Sequence, residues 1–454
     1  MRTKIPIIGF LIVFAVFFTV TRIYQVAEAQ AQSHPHFVAT QSDFDKIKNL
    51  ILQNRDPWKR QYDKLISKTN GYQSTPGSGF WVAADSGNFD VIKNKGDTGA
   101  KELTFLSLTC ILSGESGVCN KTKSQLLGWT TAETLAVLRS IGDQNSIHAG
   151  NSVAISVALA YDWIYDRLSS SERTQITSWL GQAGAHVRSI HEQRNRCHNK
   201  EAWDDLAMIM AGLATDNSDL VQYGLGIGSY ENSHMSIKRI INCMIQDSGQ
   251  SCDYYHGCYE FWHNLMSIEA FATAASVGAE HGYENFFQTQ SKLVKALEYY
   301  APLYQTNDMN SLPAGDWHDA PDWLSFSGIY ELAHKYLPNN QTIKAVLEDP
   351  NFNDDYGRYC DNARGYCARW TLFPNLIWGQ EIGAVNPTPT PTPTPTPPPV
   401  GGKKGDLNND GRVDVIDLGI FLSNWGSTAR PPSDLNQDGK VDIIDLGILL
   451  SNWG

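Results

Sequence analysis

From about residue 40 to 385, apolar residues recur at intervals of three and four, the spacing of helices that bury one face. The stretch from Ser42 to Leu52 opens on a good N-cap and carries Phe44, Ile47, Leu50 and Ile51 on its apolar side. Val153 to Asp166 is apolar on nearly every face, which predicts an inner helix. After a polar break, Ser169-Ser170-Ser171-Glu172-Arg173 has the Ser-x-x-Glu spacing of a capping box and restarts a helix. Further helices are expected over 201–214, 262–279, 289–301 and 323–336, and strand-like alternation is scarce. Helices of about 12–18 residues joined by medium loops predict an all-α toroid of helical hairpins over 37–385.

Two stretches depart from this pattern. At the start, Arg2 and Lys4 precede an apolar run from Ile5 to Val20, followed by the small-x-small sites Ala27-Glu28-Ala29 and Ala29-Gln30-Ala31. This is the form of a secretory signal peptide, here 1–31, removed on export. Its apolar run spans roughly 24 Å as a helix, short of the ~30 Å hydrocarbon core. No later segment is long and apolar enough to cross a membrane, so the mature chain is expected to be secreted. At 386–404, alternating Pro and Thr give way to Val-Gly-Gly-Lys-Lys. Such a segment forms an extended polyproline-II spacer, about 3.1 Å per residue and roughly 40 Å over 387–399, with threonines available for O-glycans.

Beyond the spacer lies a repeat: GDLNNDGRVDVIDLGIFLSNWG (405–426) matches SDLNQDGKVDIIDLGILLSNWG (433–454) almost letter for letter. Asp406, Asn408, Asp410, Arg412, Asp414 and Asp417 fall at positions 1, 3, 5, 7, 9 and 12 of an EF-hand-like loop. Asp434, Asn436, Asp438, Lys440, Asp442 and Asp445 do so in the second copy. Oxygen ligands at these positions, with a backbone carbonyl at position 7 and Gly411 or Gly439 at the sharp turn, suit a hard Ca2+ ion. At these residues, 405–454 resembles a type I dockerin, a small calcium-binding α domain. The resemblance implies two Ca2+ ions and a cohesin-bearing scaffold or cell-surface partner, with two equivalent docking orientations from the near-identical halves. Where cellulosomal dockerins often place Ser/Thr recognition residues, this chain has Val415-Ile416 and Ile443-Ile444. A cohesin partner then needs a more apolar face, or these residues pack internally.

Composition sharpens this picture. The 454 residues carry 36 Lys plus Arg against 48 Asp plus Glu, a net charge of −12, which argues against a general nucleic-acid binder. Each calcium loop holds four aspartates and one Arg or Lys, so half of that charge belongs to the two loops. A basic cleft for an acidic polymer elsewhere stays compatible with it. The 8 cysteines all lie between the signal and the spacer, and an even count in an exported chain favours disulfides. Cys110–Cys119 and Cys360–Cys367 are natural local pairs; Cys197, Cys243, Cys252 and Cys258 pair among themselves in an order the sequence leaves open.

Two segments concentrate ionisable residues beside apolar helices: 194–203, RNRCHNKEAW, and 246–264, QDSGQSCDYYHGCYEFWHN. His191, His198, His234, His256 and His263 cluster in this part of the chain, and His256 and His263 share a face if their stretch is helical. A third patch, 313–323, offers Trp317 and Trp323 as sugar-stacking platforms. HNKEAW followed by AMIMAGLATD aligns without gaps to N-N-H-x-x-W…A-x-x-T-D of the alginate lyase superfamily. LTFLSLTCILSGES, ALAYDWIYDRLSSSER and WHNLMSIEAFA also resemble that superfamily's helices. These are uronate-polymer lyases on an incomplete (α/α) toroid, in which an Asn and a His bind the substrate carboxylate and a Tyr or His moves the proton.

The resemblance implies that Asn199 holds the carboxylate, with Lys200 at the family's His and His198 at its first Asn; a one-residue shift makes His198 the functional imidazole instead. Asp253 and His256 sit at the family's ExxR spacing, so His256 stands where Arg is expected. His263 falls near the family's Tyr, and Trp262 takes that place in the shifted register, with Tyr254, Tyr255 and Tyr259 close by. The expected catalytic set is therefore Asn199, His198, Lys200, His256, His263 and Tyr255, with Arg196, Trp203, Trp262 and Trp317 binding substrate and no cofactor firmly implied. The chemistry is β-elimination: hydrogen-bond donors neutralise the carboxylate so that a base can take H5 and an acid can protonate the departing O4. Two other functions compete with a secreted lyase of an acidic polysaccharide. One is an inverting glycoside hydrolase drawing on Asp204, Asp205, Asp253, Glu260, Asp316 or Asp319, and the other a non-catalytic carbohydrate-binding module.

Overall fold

The computed structural model describes residues 33–74, 79–141, 146–254, 257–258, 261–306, 311–312, 328–349, 377, 403–407, 412–426 and 432–453. The chain divides into two compact units, 1–383 and 384–454. Among the described residues every regular element is helical, with two isolated β-bridges, Ile245 to Ser251 and Asp253 to Gly257. None of the helices described is long and apolar enough to cross a membrane.

In the first unit, α1 (Gln41–Leu52) and α2 (Trp58–Ser74) lead into the long α3 (Phe89–Ser113). The next four are α4 (Ser116–Trp129), α5 (Ala132–Ser140), α6 (Ser146–Trp163) and α7 (Ser170–Arg194). Then come α8 (Asn199–Ala214), α9 (Ser218–Leu225), α10 (Ile237–Met244), α11 (Phe261–Glu280) and the single turn α12 (Phe286–Thr289). The unit continues with α13 (Ser291–Thr306), α14 (Gly328–Tyr336) and α15 (Gln341–Glu348). The expected all-α architecture is what the chain adopts.

The inner layer follows from the apolar pattern. Helix α6 is buried from Ala149 to Ile164, as its uninterrupted apolar run requires, and packs on α3, α7 and α8. Helix α8 is buried along nearly its whole length and touches α6, α7, α9, α10 and α11, which makes it the hub of the unit. Gly212 and Gly224 allow α9 to come in close: a Cβ on Gly224 would lie 2.7 Å from the Asp205 carbonyl oxygen, and one on Gly212 2.7 Å from Val221.

Helix boundaries follow local capping. Ser169 and Glu172 form the expected reciprocal box, with Ser169 N–H donating to Glu172 Oε2 at 2.7 Å. Helix α1 is capped by Thr40 rather than Ser42, because Asp43 returns a 2.8 Å bond from its carboxylate to the Thr40 amide. Helix α8 starts at Asn199, two residues before its apolar run, since the His198 side chain supplies the cap. The residues around 253 form a tight bridge instead of a helix, and His256, expected to share a helical face with His263, lies outside the described residues. Cys110 pairs with Cys119 as expected. Cys197 pairs with Cys243 and Cys252 with Cys258, whereas Cys360 and Cys367 lie outside the described residues.

The second unit is built from α16 (Val415–Ser423) and α17 (Ile443–Ser451). Val413, Phe421, Val441 and Leu449 form its small core, and Gly426 N–H donates to the Val441 carbonyl at 2.9 Å, joining the two copies.

A Cβ on Gly99 in α3 would run into the buried Trp129 ring, whereas one on Gly181 in α7 meets nothing nearer than Thr215 Cγ2 at 3.7 Å. Gly99→Ala is therefore expected to cost about 1–3 kcal/mol through overpacking. Gly181→Ala should be neutral or stabilising by up to about 1 kcal/mol. Urea denaturation of the two variants checks the contrast.

Candidate functional site

The candidate site is assembled at the N-terminus of α8. Helix α7 ends at Asn195, whose left-handed backbone (φ 41°) reverses the chain, and its Oδ1 accepts the Met235 amide at 2.7 Å. Residues 195–198 then lead into α8 with His198 as the extended N-cap. His198 is held between two carboxylates: Nδ1 lies 3.2 Å from Glu201 Oε2, and Nε2 lies 3.5 Å from Asp253 Oδ1. The same Nδ1 lies 3.2 Å from the Lys200 amide, so the tautomer selects which of its two contacts is a hydrogen bond.

Asp253 closes the helix start from a distant loop. Its Oδ2 accepts the Asn199 amide at 2.8 Å, placing a carboxylate against the positive end of α8. The loop is fixed at several points: Cys252–Cys258 closes it, Tyr254 N–H donates to the Cys197 carbonyl at 3.2 Å, and the Asp253 amide donates to Asn264 Oδ1 at 3.0 Å. Asn264 Nδ2 donates in turn to the carbonyls of Gly257 and Cys258 at 3.2 and 3.3 Å. Cys197–Cys243 ties the other side, directly ahead of His198.

Below this layer α8 buries three acids. Arg194 pairs with Asp204 and lies 3.6 Å from Glu201 Oε1, while Asn151 Nδ2 donates to Asp204 Oδ1 at 2.5 Å. Asp205 is fully buried with no hydrogen-bond partner for either oxygen, and His191 Nε2 lies 3.4 Å away. Burial, reinforced by Glu201, holds the Asp205 carboxyl well above its usual range. Burial also pushes His191 down to about 3, with His234 and Arg194 adding to the effect. His234 stacks on Tyr223 at 3.7 Å and gives or accepts bonds at both ring nitrogens, to Ser233 Oγ and the Tyr223 carbonyl.

The structure thus brings His198, Asn199 and Lys200 to one helix end, beside Asp253 and Asn264. His263 occupies the first turn of α11 next to Asn264, and Trp262 belongs to the same turn. Arg196 sits half-buried in the 195–198 connection. Trp203 is 3% exposed and belongs to the core, edge-on to His148 at 6.1 Å. Tyr255, His256, Tyr259, Glu260 and the 313–323 patch with Asp316, Trp317, Asp319 and Trp323 lie outside the described residues. Asp204 and Asp205 have no exposure, so neither presents a carboxyl to a polymer, contrary to what a hydrolase pair drawn from them requires. Arg194, expected to line a basic cleft with Arg196, Asn199 and Lys200, is instead turned inward onto Asp204, and sequence reasoning passed over Asn151, Glu201 and Asn264 as site components. The available signal was three acids in an otherwise apolar helix.

In the tail, both calcium-type loops use their position-12 aspartate as a backbone clamp. Asp417 accepts the Leu407 and Asp414 amides at 2.7 and 2.8 Å, and Asp445 accepts those of Asn436 and Asp442 at 2.9 and 3.0 Å. Asp434 Oδ2 accepts the Gly439 amide at 3.0 Å, while its Oδ1 is buried without a hydrogen-bond partner. Asn408 and Asp410 lie outside the described residues. Val415, Ile416, Ile443 and Ile444 are all exposed, so they do not pack internally.

Residues 100–309, the span that includes α8 and its capping loop, match the family model described as alginate lyase. This supports the alginate lyase superfamily. A polysaccharide lyase of Stenotrophomonas maltophilia (strain K279a) is 25% identical over 130 residues, 28% of this chain and 39% of that protein. The chain therefore spans well under half the length of this curated relative. A crystal structure of an alginate lyase from Bacteroides ovatus has the same fold, with a TM-score of 0.56 at 12% identity over 77% of this chain and 100% of that one.

Asp205 supplies a test of the buried layer. Its pKa is raised in the folded state, so its contribution to stability is full below the unfolded value of 3.8 and is lost as pH rises towards the folded value. Asp205→Asn removes that ionisation. The stability of the variant relative to the parent should increase as pH rises from about 4 towards neutrality. Urea melts across that range read the trend, and a flat difference would contradict it.

Proposed function

We propose that this protein is a secreted polysaccharide lyase that cleaves a uronic-acid polymer by β-elimination and is tethered to a cohesin-bearing scaffold through its tail. The observation that carries the enzymatic half is the α8 N-terminus. Asn199 and Lys200 stand there on a buried helix whose start is fixed by His198 and Asp253, within the segment that matches the alginate lyase family. In this reading Lys200, half-buried at the helix start, and Asn199, only 2% exposed beside it, meet the uronate carboxylate. His263 takes H5, the C4–O4 bond breaks as the C4–C5 double bond forms, and a tyrosine of the 254–259 loop returns a proton to O4. His198, with both ring nitrogens facing carboxylates, positions Asn199 and Lys200.

The test uses alginate, glucuronan, pectate, hyaluronan and chondroitin, with near-UV absorbance and reducing ends followed together. The expected outcome on one polymer is an unsaturated-uronate chromophore rising in step with reducing ends. Reducing ends without the chromophore would point to a hydrolase, and neither signal to a binding module. Asn199→Ala should lower kcat by about 10²–10³-fold with an unchanged circular dichroism spectrum, as for a lost oxyanion donor. Full retention of activity would refute the assignment.

The tethering half rests on the two loops. Asp406, Asn408, Asp410, Asp417 and the Arg412 carbonyl would hold one Ca2+; Asp434, Asn436, Asp438, Asp445 and the Lys440 carbonyl would hold the other. The donors fit a hard cation, and the unpartnered, buried Oδ1 of Asp434 at loop position 1 is the atom such an ion would satisfy. The exposed pairs Val415-Ile416 and Ile443-Ile444, repeated in both copies, give a cohesin an apolar face to meet. Export through the 1–31 signal belongs to the same proposal. Calorimetry with and without EGTA should show one transition, that of the tail, moving with calcium while the transition of the first unit stays in place.

A further inference from the structure

Before α1, the chain from residue 33 to 39 folds back onto the C-terminal end of α6. The contact centres on Asp162, which has no exposure. Its carboxylate accepts the His36 amide at 3.0 and 3.1 Å and the Phe37 amide at 3.0 Å, and His34 Nδ1 lies 2.7 Å from Oδ1. The His36 ring lies 4.7 Å from the His34 ring and 5.1 Å from that of His281, which follows α11. His34 is itself held in place, stacked on Tyr165 at 3.8 Å, with the Arg173 guanidinium 3.8 Å from the same Tyr165 ring.

A simple backbone clamp explains part of this arrangement. Asp162 needs only the two amides and one imidazole. It does not explain the His36 ring, whose amide makes the clamp while its Nδ1 is buried without a hydrogen-bond partner. His281 Nε2, on the neighbouring ring, is buried without a partner as well. Leaving such atoms unmatched in a buried position is costly. One donor atom from each of His34, His36 and Asp162 lies within 4.8 Å of the other two. His34 and Asp162 also line a cavity of about 210 Å³, shared with Gly114, Tyr165 and Arg167, which leaves room for water as a further ligand.

We propose that His34, His36 and Asp162 form a site for a divalent transition-metal ion. Two imidazoles and one carboxylate suit Zn2+, or Co2+ as its spectroscopic stand-in, and do not suit Ca2+ or Mg2+, which prefer all-oxygen shells. Binding leaves the Nδ1 of His34 bare, its proton moving to Nε2 or to solvent. The site is remote in sequence from the α8 N-terminus and does not depend on the lyase reading. Its effect is to fasten the chain start to the end of α6.

The test uses the full chain without an affinity tag, in saturating Ca2+ so that the tail loops are filled. Titration with Co2+ followed by visible absorption, and with Zn2+ followed by calorimetry, is expected to give one equivalent and a raised melting temperature for the first unit. His36→Ala removes a ring nitrogen that has no partner, so the fold should persist, and its affinity should fall about tenfold or more. His34→Gln should do the same, while His234→Ala, in the separate buried group of His191, Asp205 and His234, should keep the equivalent. Absence of a Zn2+ equivalent in the parent chain overturns the proposal, as does an equivalent of undiminished affinity in His36→Ala or one that vanishes only in His234→Ala.

Discussion

Three carboxylates on a buried helix impose the constraint around which the first unit is arranged. Helix α8 must carry Glu201, Asp204 and Asp205 through the core, where an unmatched charge is costly. The solutions differ by residue. Asp204 is matched by Arg194 and Asn151, Glu201 by His198 and the edge of the same guanidinium, while burial raises the proton affinity of Asp205. The first two solutions together recruit the end of α7, the first half of α6 and the N-cap of α8 itself. The convergence of α6 and α7 on α8 is thus electrostatic as well as apolar.

The same constraint makes the helix start well defined. A carboxylate at a helix N-terminus is favourable, and Asp253 provides one from a loop that would otherwise have few reasons to rest there. Covalent links stand immediately ahead of both participants, Cys197 before His198 and Cys252 before Asp253. The polar groups at this end are therefore held from both sides, the kind of pre-organisation that donors need if they are to act on developing charge.

Much of the fold was legible from local pattern. The Ser169–Glu172 box, the all-apolar α6 and the Cys110–Cys119 pair all depend on residues close in sequence, and all are present. The misplaced start of α1 had a local cause too, since Ser42 and Thr40 are both good caps and only the reciprocal bond from Asp43 separates them. The site was harder to read. Asn199 and its neighbours could be located from the likeness to a family, but the partner that fixes them, Asp253, is 54 residues away. Cys197–Cys243 spans 46 residues for the same reason. Periodicity says that Glu201, Asp204 and Asp205 lie on a buried helix; it does not say which distant side chains answer them.

The close approach of α9 to α8 has a mechanical consequence. With Gly224 resting against the Asp205 carbonyl and Gly212 against the Val221 side chain and the Asn217 carbonyl, a small shift of α8 along or about its axis soon meets backbone. The helix that carries Asn199 and Lys200 is in effect a fixed platform.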